Sequence, residues 1–153
     1  MSWTDGVPWA IAVVGWACTH LFSEARERRK EMRSQIDKLH EQIVKLEQDA
    51  RSFHCEKEFS SIKTGDIISK VALMERMTNR IPILSIDNLN PHIVGFRRAI
   101  TLKNFDKSTF ATQSVDSELL HSICKAAQDI EDEIERQYRY RYPPDFPYIR
   151  FRK

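Results

Sequence analysis

The feature that most constrains the fold is a regular spacing of apolar residues between positions 32 and 53. Seven of them recur at alternating intervals of four and three residues: Met32, Ile36, Leu39, Ile43, Leu46, Ala50 and Phe53. Charged and amide residues fill most of the positions between them. This heptad pattern predicts a long helix with one apolar stripe, and isoleucine at a with leucine at d favours a parallel two-stranded coiled coil.

We therefore predict a coiled-coil stalk over residues 24–57 and a homodimer or a higher oligomer. The alternative is one long amphipathic helix that packs against a domain of its own chain, because only about three heptads are regular. The residues predicted to form the oligomer seam are Met32, Ile36, Leu39, Ile43 and Leu46.

An apolar segment precedes the heptads. Between Val7 and Phe22 the only clearly polar side chains are Thr19 and His20. Such a helix is about 24 Å long, which is short of the roughly 30 Å hydrocarbon core of a bilayer, so a span is marginal. We nevertheless predict a membrane anchor over residues 1–23. Its predicted lipid-contacting residues are Val7, Trp9, Ile11, Val13, Val14, Trp16, Leu21 and Phe22.

Positive charge follows this segment and does not precede it. The basic residues of the flank are Arg26, Arg28, Arg29, Lys30 and Arg33. By the positive-inside rule, the N-terminus would lie outside and the rest of the chain in the cytoplasm of a bacterial cell. We predict a single-pass protein of the inner membrane. The alternatives are a buried helix of a soluble protein and a cleaved signal, although a signal normally carries its positive charge before the apolar core.

Cysteine and glycine usage argues against a cofactor. The three cysteines have no recurring spacing, which suits a reducing compartment. Only four glycines are present, and no glycine-rich phosphate-binding motif occurs. Two pairs, His54 with Cys55 and His121 with Cys124, could supply four zinc ligands, but adjacent ligands are geometrically awkward and no C-x-x-C is present. We predict no metal, no cofactor and no catalytic residues.

The remainder of the chain is predicted to be helical. Apolar periodicity indicates helices over residues 66–80, from Asn90 onward and from Asp116 onward. The fold class is therefore all-α, with an N-terminal transmembrane helix, a parallel coiled-coil stalk and a small helical cytoplasmic domain over residues 58–142. Residues 143–153 are predicted to form an extended basic-aromatic tail.

Arginine alternates with aromatic residues near the C-terminus. Such residues can stack on unpaired bases while their charge meets phosphate, or they can settle among anionic lipid headgroups. Three prolines suggest instead an extended strap packed on the helical domain. The residues predicted to contact a membrane or a nucleic acid are Arg139, Tyr140, Arg141, Tyr142, Arg150, Arg152 and Lys153.

These features predict a non-enzymatic protein. One hypothesis, by architectural analogy, is a membrane-disrupting effector of a bacterial toxin or anti-phage defence system. A cytoplasmic protein or ribonucleoprotein partner would hold it inactive. The competing hypothesis is a passive membrane tether or scaffold, in which the anchor only localises a cytoplasmic domain that binds a protein or RNA. A third is a cytosolic enzyme subunit whose first helix is buried in a partner.

Overall fold

The structure is a computed structural model that describes residues 7–143, with the side chains of Trp9 and of residues 12–143. Within this range every regular element is a helix, so the predicted all-α class is confirmed. The helices are α1 Val7–His54, α2 Ser61–Arg80, α3 Ile86–Thr101 and α4 Glu118–Arg141. The chain divides into two compact units between Gln35 and Ile36, so the last part of the predicted stalk belongs with the helical domain.

The second unit begins within α1 and is built on one stripe of that helix. The stripe side chains are each at most 1% exposed: Ile36, Leu39, Ile43, Leu46, Ala50 and Phe53. They share one hydrophobic core with the buried apolar faces of α2, α3 and α4. Charged residues between the stripe positions face solvent, so burial of the stripe is what holds this part of α1 in the domain.

Polar contacts give the direction of α2 relative to α1. The Lys70 ammonium in α2 donates to Asp49 Oδ2 in α1 over 2.7 Å. Lys63, near the start of α2, pairs with Glu56, just beyond the end of α1. Residue numbers rise along one helix as they fall along the other, so α1 and α2 are antiparallel.

Two further helix pairs, α1 with α4 and α3 with α4, are also antiparallel. His40 interacts electrostatically with Glu131, and Cys124 interacts with Glu47, which makes α1 and α4 antiparallel. At the start of α3 the Ser85 backbone N–H donates to Oε1 of Gln137, near the end of α4, over 2.6 Å. The unit is therefore an up-down-up-down four-helix bundle.

Local chemistry explains where the helices begin. Ser60 and Ser117 cap α2 and α4, because their hydroxyls accept from backbone N–H groups three residues later, at 3.4 Å. The Asn90-Pro91 pair predicted the start of a helix, yet α3 already begins at Ile86 and includes Pro91. Leu89 is fully buried, and its packing in the core favours helix one turn earlier than the local signal does.

An aromatic cluster closes the end of α1. The ring of Phe53 lies 5.2 Å from that of Phe110 and 5.4 Å from that of Phe105, measured between centroids. The neighbouring His54 is completely buried, and its Nε2 donates to the Ile100 carbonyl over 3.1 Å. Burial lowers the pKa of His54, so the neutral imidazole is the form that the fold favours.

The predicted membrane location is contradicted. Within residues 7–143 no helix combines the length and the apolar character that crossing a membrane requires. The apolar run of α1 ends at Phe22, and charged residues begin at Glu24 within the same helix. The single-pass inner-membrane assignment, with the N-terminus outside, is therefore withdrawn.

The predicted oligomer seam has a different environment from the expected one. Ile36, Leu39, Ile43 and Leu46 are buried within the core of their own chain, and Met32 is half-buried. An apolar stripe indicates that one face of a helix is buried, but it does not indicate which chain buries that face. The alternative of an amphipathic helix packed on its own domain describes this part of α1.

Candidate functional site

The first part of α1 leaves its large apolar side chains open to solvent. Single exposed apolar residues are ordinary on a protein surface, whereas a contiguous group of large ones marks an interaction site. Six such side chains are between 61% and 76% exposed: Trp9, Val13, Val14, Trp16, Leu21 and Phe22. We call residues 9–22 the docking helix.

The apolar side chains surround this helix. Successive residues of an α-helix project about 100° apart, so Val14 and Trp16 leave it roughly 160° apart and Val13 and Phe22 leave it on opposite sides. A two-stranded coil needs only one narrow stripe on each helix. A helix that is apolar on all sides is instead covered on all sides when it is stable in water.

Polar groups of the docking helix are paired within the helix itself. The Thr19 hydroxyl donates to the Gly15 carbonyl over 2.8 Å. The His20 ring stacks on that of Trp16 with centroids 5.5 Å apart, and its Nε2 lies 3.3 Å from a carboxylate oxygen of Glu24. The surface that remains exposed is therefore predominantly apolar.

A basic flank follows the docking helix. Residues 24–33 carry five basic side chains and three acidic ones, which leaves the flank positively charged. Lys30 Nζ lies 3.0 Å from Glu27, and an Arg28 guanidinium nitrogen lies 3.9 Å from Glu24. These pairs are exposed and contribute little to stability, so the flank can exchange them for acidic groups of a partner.

The residues predicted to contact lipid are the six exposed apolar side chains of the docking helix, together with two others. Val7 and Ile11 belong to α1, but their side chains lie outside the described residues. The remaining ones are exposed, as a surface for any apolar partner would be. The membrane span that was predicted for them is not supported, because no helix within residues 7–143 is long and apolar enough to cross a bilayer.

The predicted basic-aromatic tail is described only in its first part. Arg139, Tyr140 and Arg141 are exposed at the end of α4. The Tyr142 ring is half-buried and lies 5.2 Å from that of Tyr138, so it packs on the bundle. Arg150, Arg152 and Lys153 lie outside the described residues.

The histidines and cysteines of the bundle were considered above as zinc ligands. Across residues 7–143 no group of three His, Cys, Asp or Glu side chains is placed to hold a metal ion. His54 is hydrogen-bonded inside the core, whereas His121 is exposed. Burial and the carboxylate of Glu47 raise the pKa of Cys124, which disfavours the thiolate that nucleophilic chemistry needs.

Comparison of the chain with protein-family models, with curated proteins and with solved structures found no match. Function must therefore be inferred from the chemistry of the exposed surfaces themselves.

Proposed function

We propose that this chain is a non-enzymatic protein-binding module whose docking helix inserts into an apolar groove of another protein. The observation that carries this function is the ring of six large apolar side chains that the first part of α1 exposes. The bundle would then serve as the scaffold that the docking helix holds to its partner. Insertion of a helix into a groove is a common mode of peptide recognition.

The exposed area is adequate for a specific interface. A tryptophan or phenylalanine buries about 150–250 Å² when it is fully covered. Trp9, Trp16 and Phe22 are 61% to 76% exposed, so together they offer on the order of 400 Å². The aliphatic side chains extend this toward the roughly 800 Å² per partner of a standard interface. Large aromatic residues also dominate the binding energy of many interfaces.

Two features favour another protein over a second copy of this chain. A second docking helix would cover only one side of the first, whereas a groove contacts several sides. Two parallel copies would also place two positively charged flanks together, and like charges repel. The proposed partner therefore has an apolar groove with aspartate and glutamate along its rim, which complements the basic flank.

Both functions predicted from the sequence place the chain at a membrane through its first segment, so neither is proposed in that form. The proposal keeps only the scaffold's binding to a partner, with the docking helix as the attachment. The raised pKa of Cys124 and the buried hydrogen bond of His54 disfavour these two residues as a nucleophile and a base.

Photo-crosslinking in the native cell tests this function. The photoreactive residue p-benzoylphenylalanine replaces Leu21 in the docking helix, or Ile62 in α2, which is 84% exposed and serves as the matched control. We expect an adduct of one defined mass from position 21 and none from position 62. The substitution Trp16→Ser should remove the adduct, and the purified adduct protein should bind the full chain at least tenfold more weakly when Trp16 is replaced.

Other outcomes would overturn the proposal. An adduct of twice the mass of the chain would mean that a second copy covers the docking helix. An adduct to lipid would mean that the surface contacts a membrane. Equal adducts from positions 21 and 62, or no adduct from position 21, would mean that the docking helix has no specific protein partner.

A further inference from the structure

A pocket of about 390 Å³ lies between the start of α3 and the last turns of α4. Its volume falls at the lower end of the range for small-molecule sites. Four of its lining residues belong to α4 and share one face of that helix, because they lie three to five residues apart in two adjacent pairs: Arg136, Gln137, Tyr140 and Arg141. The lining residues are Ile83, Ser85, Asn88, Arg136, Gln137, Tyr140 and Arg141.

Buried hydrogen bonds fix the wall of this pocket. The Glu133 carboxylate accepts from Nε and Nη2 of Arg136, both over 2.6 Å, and from Nε2 of Gln137 over 2.7 Å. Gln137 in turn accepts from the Ser85 backbone N–H. Because Glu133 and Gln137 are buried, this network holds the Arg136 guanidinium in one orientation. Its Nη1 group takes no part in the pairing with Glu133.

The open side of the pocket combines a flat ring with positive charge. Tyr140 is 88% exposed, and it lies one turn beyond Arg136 on the same face of α4. Arg141 is exposed beside it. Tyrosine rings offer a stacking surface to any nucleic-acid base, while arginine contacts phosphate. The Asn88 amide and the Ser85 hydroxyl are groups that can hydrogen-bond to a base edge.

We infer that this pocket binds one nucleotide of a single-stranded nucleic acid, with the base stacked on Tyr140 and the phosphates facing Arg136 and Arg141. A strand suits the site better than a free nucleotide does. Residues 136–153 carry six basic side chains and one acidic one, which exceeds what the phosphates of a single nucleotide require. The site lies apart in sequence from the docking helix and does not depend on it.

The pocket changes which residues carry the predicted nucleic-acid contact. Arg139 is not part of the lining, and its Nε lies 3.9 Å from Glu135. Arg136 and Gln137 enter the site instead, because they lie one turn before Tyr140 and Arg141. Asn88 comes from a different helix, so no local pattern in the sequence could place it there.

Fluorescence anisotropy of a labelled 12-nucleotide oligouridine with the full chain tests the inference. We expect Tyr140→Ala to weaken binding roughly 5- to 150-fold and Tyr140→Phe to preserve it, because the ring face makes the contact. Arg141→Gln should weaken binding and reduce the slope of log affinity against log salt by about 0.7. Arg98→Gln is the matched control, because Arg98 is exposed in the last turn of α3, away from the pocket.

Several results would overturn the inference. A loss of binding in Arg98→Gln equal to that in Arg141→Gln would place the contact on another basic surface. Equal competition by an oligoglutamate of the same charge would show a purely electrostatic attraction. Unchanged binding in Tyr140→Ala would remove the stacking contact. Since Tyr140 is exposed, its substitutions should leave the helical circular dichroism unchanged, and crosslinking from position 21 tests the docking helix separately.

Discussion

Phe22 and Phe53 are the same residue type on the same helix, and their surroundings are opposite. Phe53 is 1% exposed and lies within a cluster of aromatic rings, whereas Phe22 is 61% exposed. Around Phe53 the apolar residues follow a single stripe with charged residues between them. Around Phe22 they are distributed on all sides. The pattern of apolar positions therefore separates the part of α1 that its own domain covers from the part that this domain leaves exposed.

Alanine substitution of the two phenylalanines should give the largest difference between the two regions in the free energy of unfolding. Phe53→Ala removes a fully buried ring and should lower the free energy of unfolding by about 3–5 kcal/mol. Phe22→Ala should change it by less than about 0.5 kcal/mol, because the ring gains little by folding of the isolated chain. Urea unfolding followed by circular dichroism measures both. Equal losses would mean that the two rings are buried alike.

The two histidines of α1 should separate the regions by pH. Burial lowers the pKa of His54, so the unfolded chain takes up a proton at this residue before the folded chain does. Stability should therefore fall as the pH drops below about 6.5 and continue to fall until the folded pKa is reached. His54→Gln should reduce this dependence.

His20→Gln is the control, because His20 is exposed in the docking helix. The comparison uses urea midpoints between pH 8 and pH 5.5. Burial raises the pKa of Glu131, so that residue destabilises the fold as the pH rises above about 4.5, which is the opposite trend. If His20→Gln abolished the pH dependence of stability and His54→Gln left it unchanged, the dependence could not be attributed to His54.

The smallest expected difference concerns the lysines. Lys70 bridges Asp49 and Asp66, and its carboxylate partners raise its pKa. Lys70→Ala should lower the unfolding free energy by about 0.2–1 kcal/mol, with a smaller loss at high salt. Lys30→Ala, which breaks an exposed pair with Glu27, should have almost no effect. A larger loss from Lys30→Ala would show that the first part of α1 contributes to the stability of the chain.

The sequence contains enough information to predict the core face of α1. The spacing of the apolar residues from Ile36 to Phe53 predicts which positions are buried, because only one side of such a helix is apolar. The same stripe suits a partner helix from any chain, so the intrachain cover of Leu39 could not be predicted. Packing between segments that are distant in sequence determines which chain covers Leu39. The same kind of packing explains why α3 already begins at Ile86.

The docking helix and the pocket differ in how far they could be predicted. The apolar character of the docking helix is evident from composition, but composition does not distinguish lipid from a protein groove. The pocket combines Asn88 with Tyr140, which are far apart in sequence and meet only because α3 and α4 are antiparallel neighbours. Basic and aromatic residues near the C-terminus indicated its chemistry and did not indicate its geometry.

Cysteine accessibility tests most directly the claim that one helix contains both a buried and an exposed apolar region. The experiment uses a chain whose three native cysteines are replaced by serine or alanine, with either Leu21→Cys or Leu39→Cys added. The rate of maleimide labelling is measured under native conditions and in urea. We expect position 21 to react at the unfolded rate under both conditions and position 39 to react only in urea. Rapid native labelling at position 39, or protection of position 21 in the purified chain, would contradict the account.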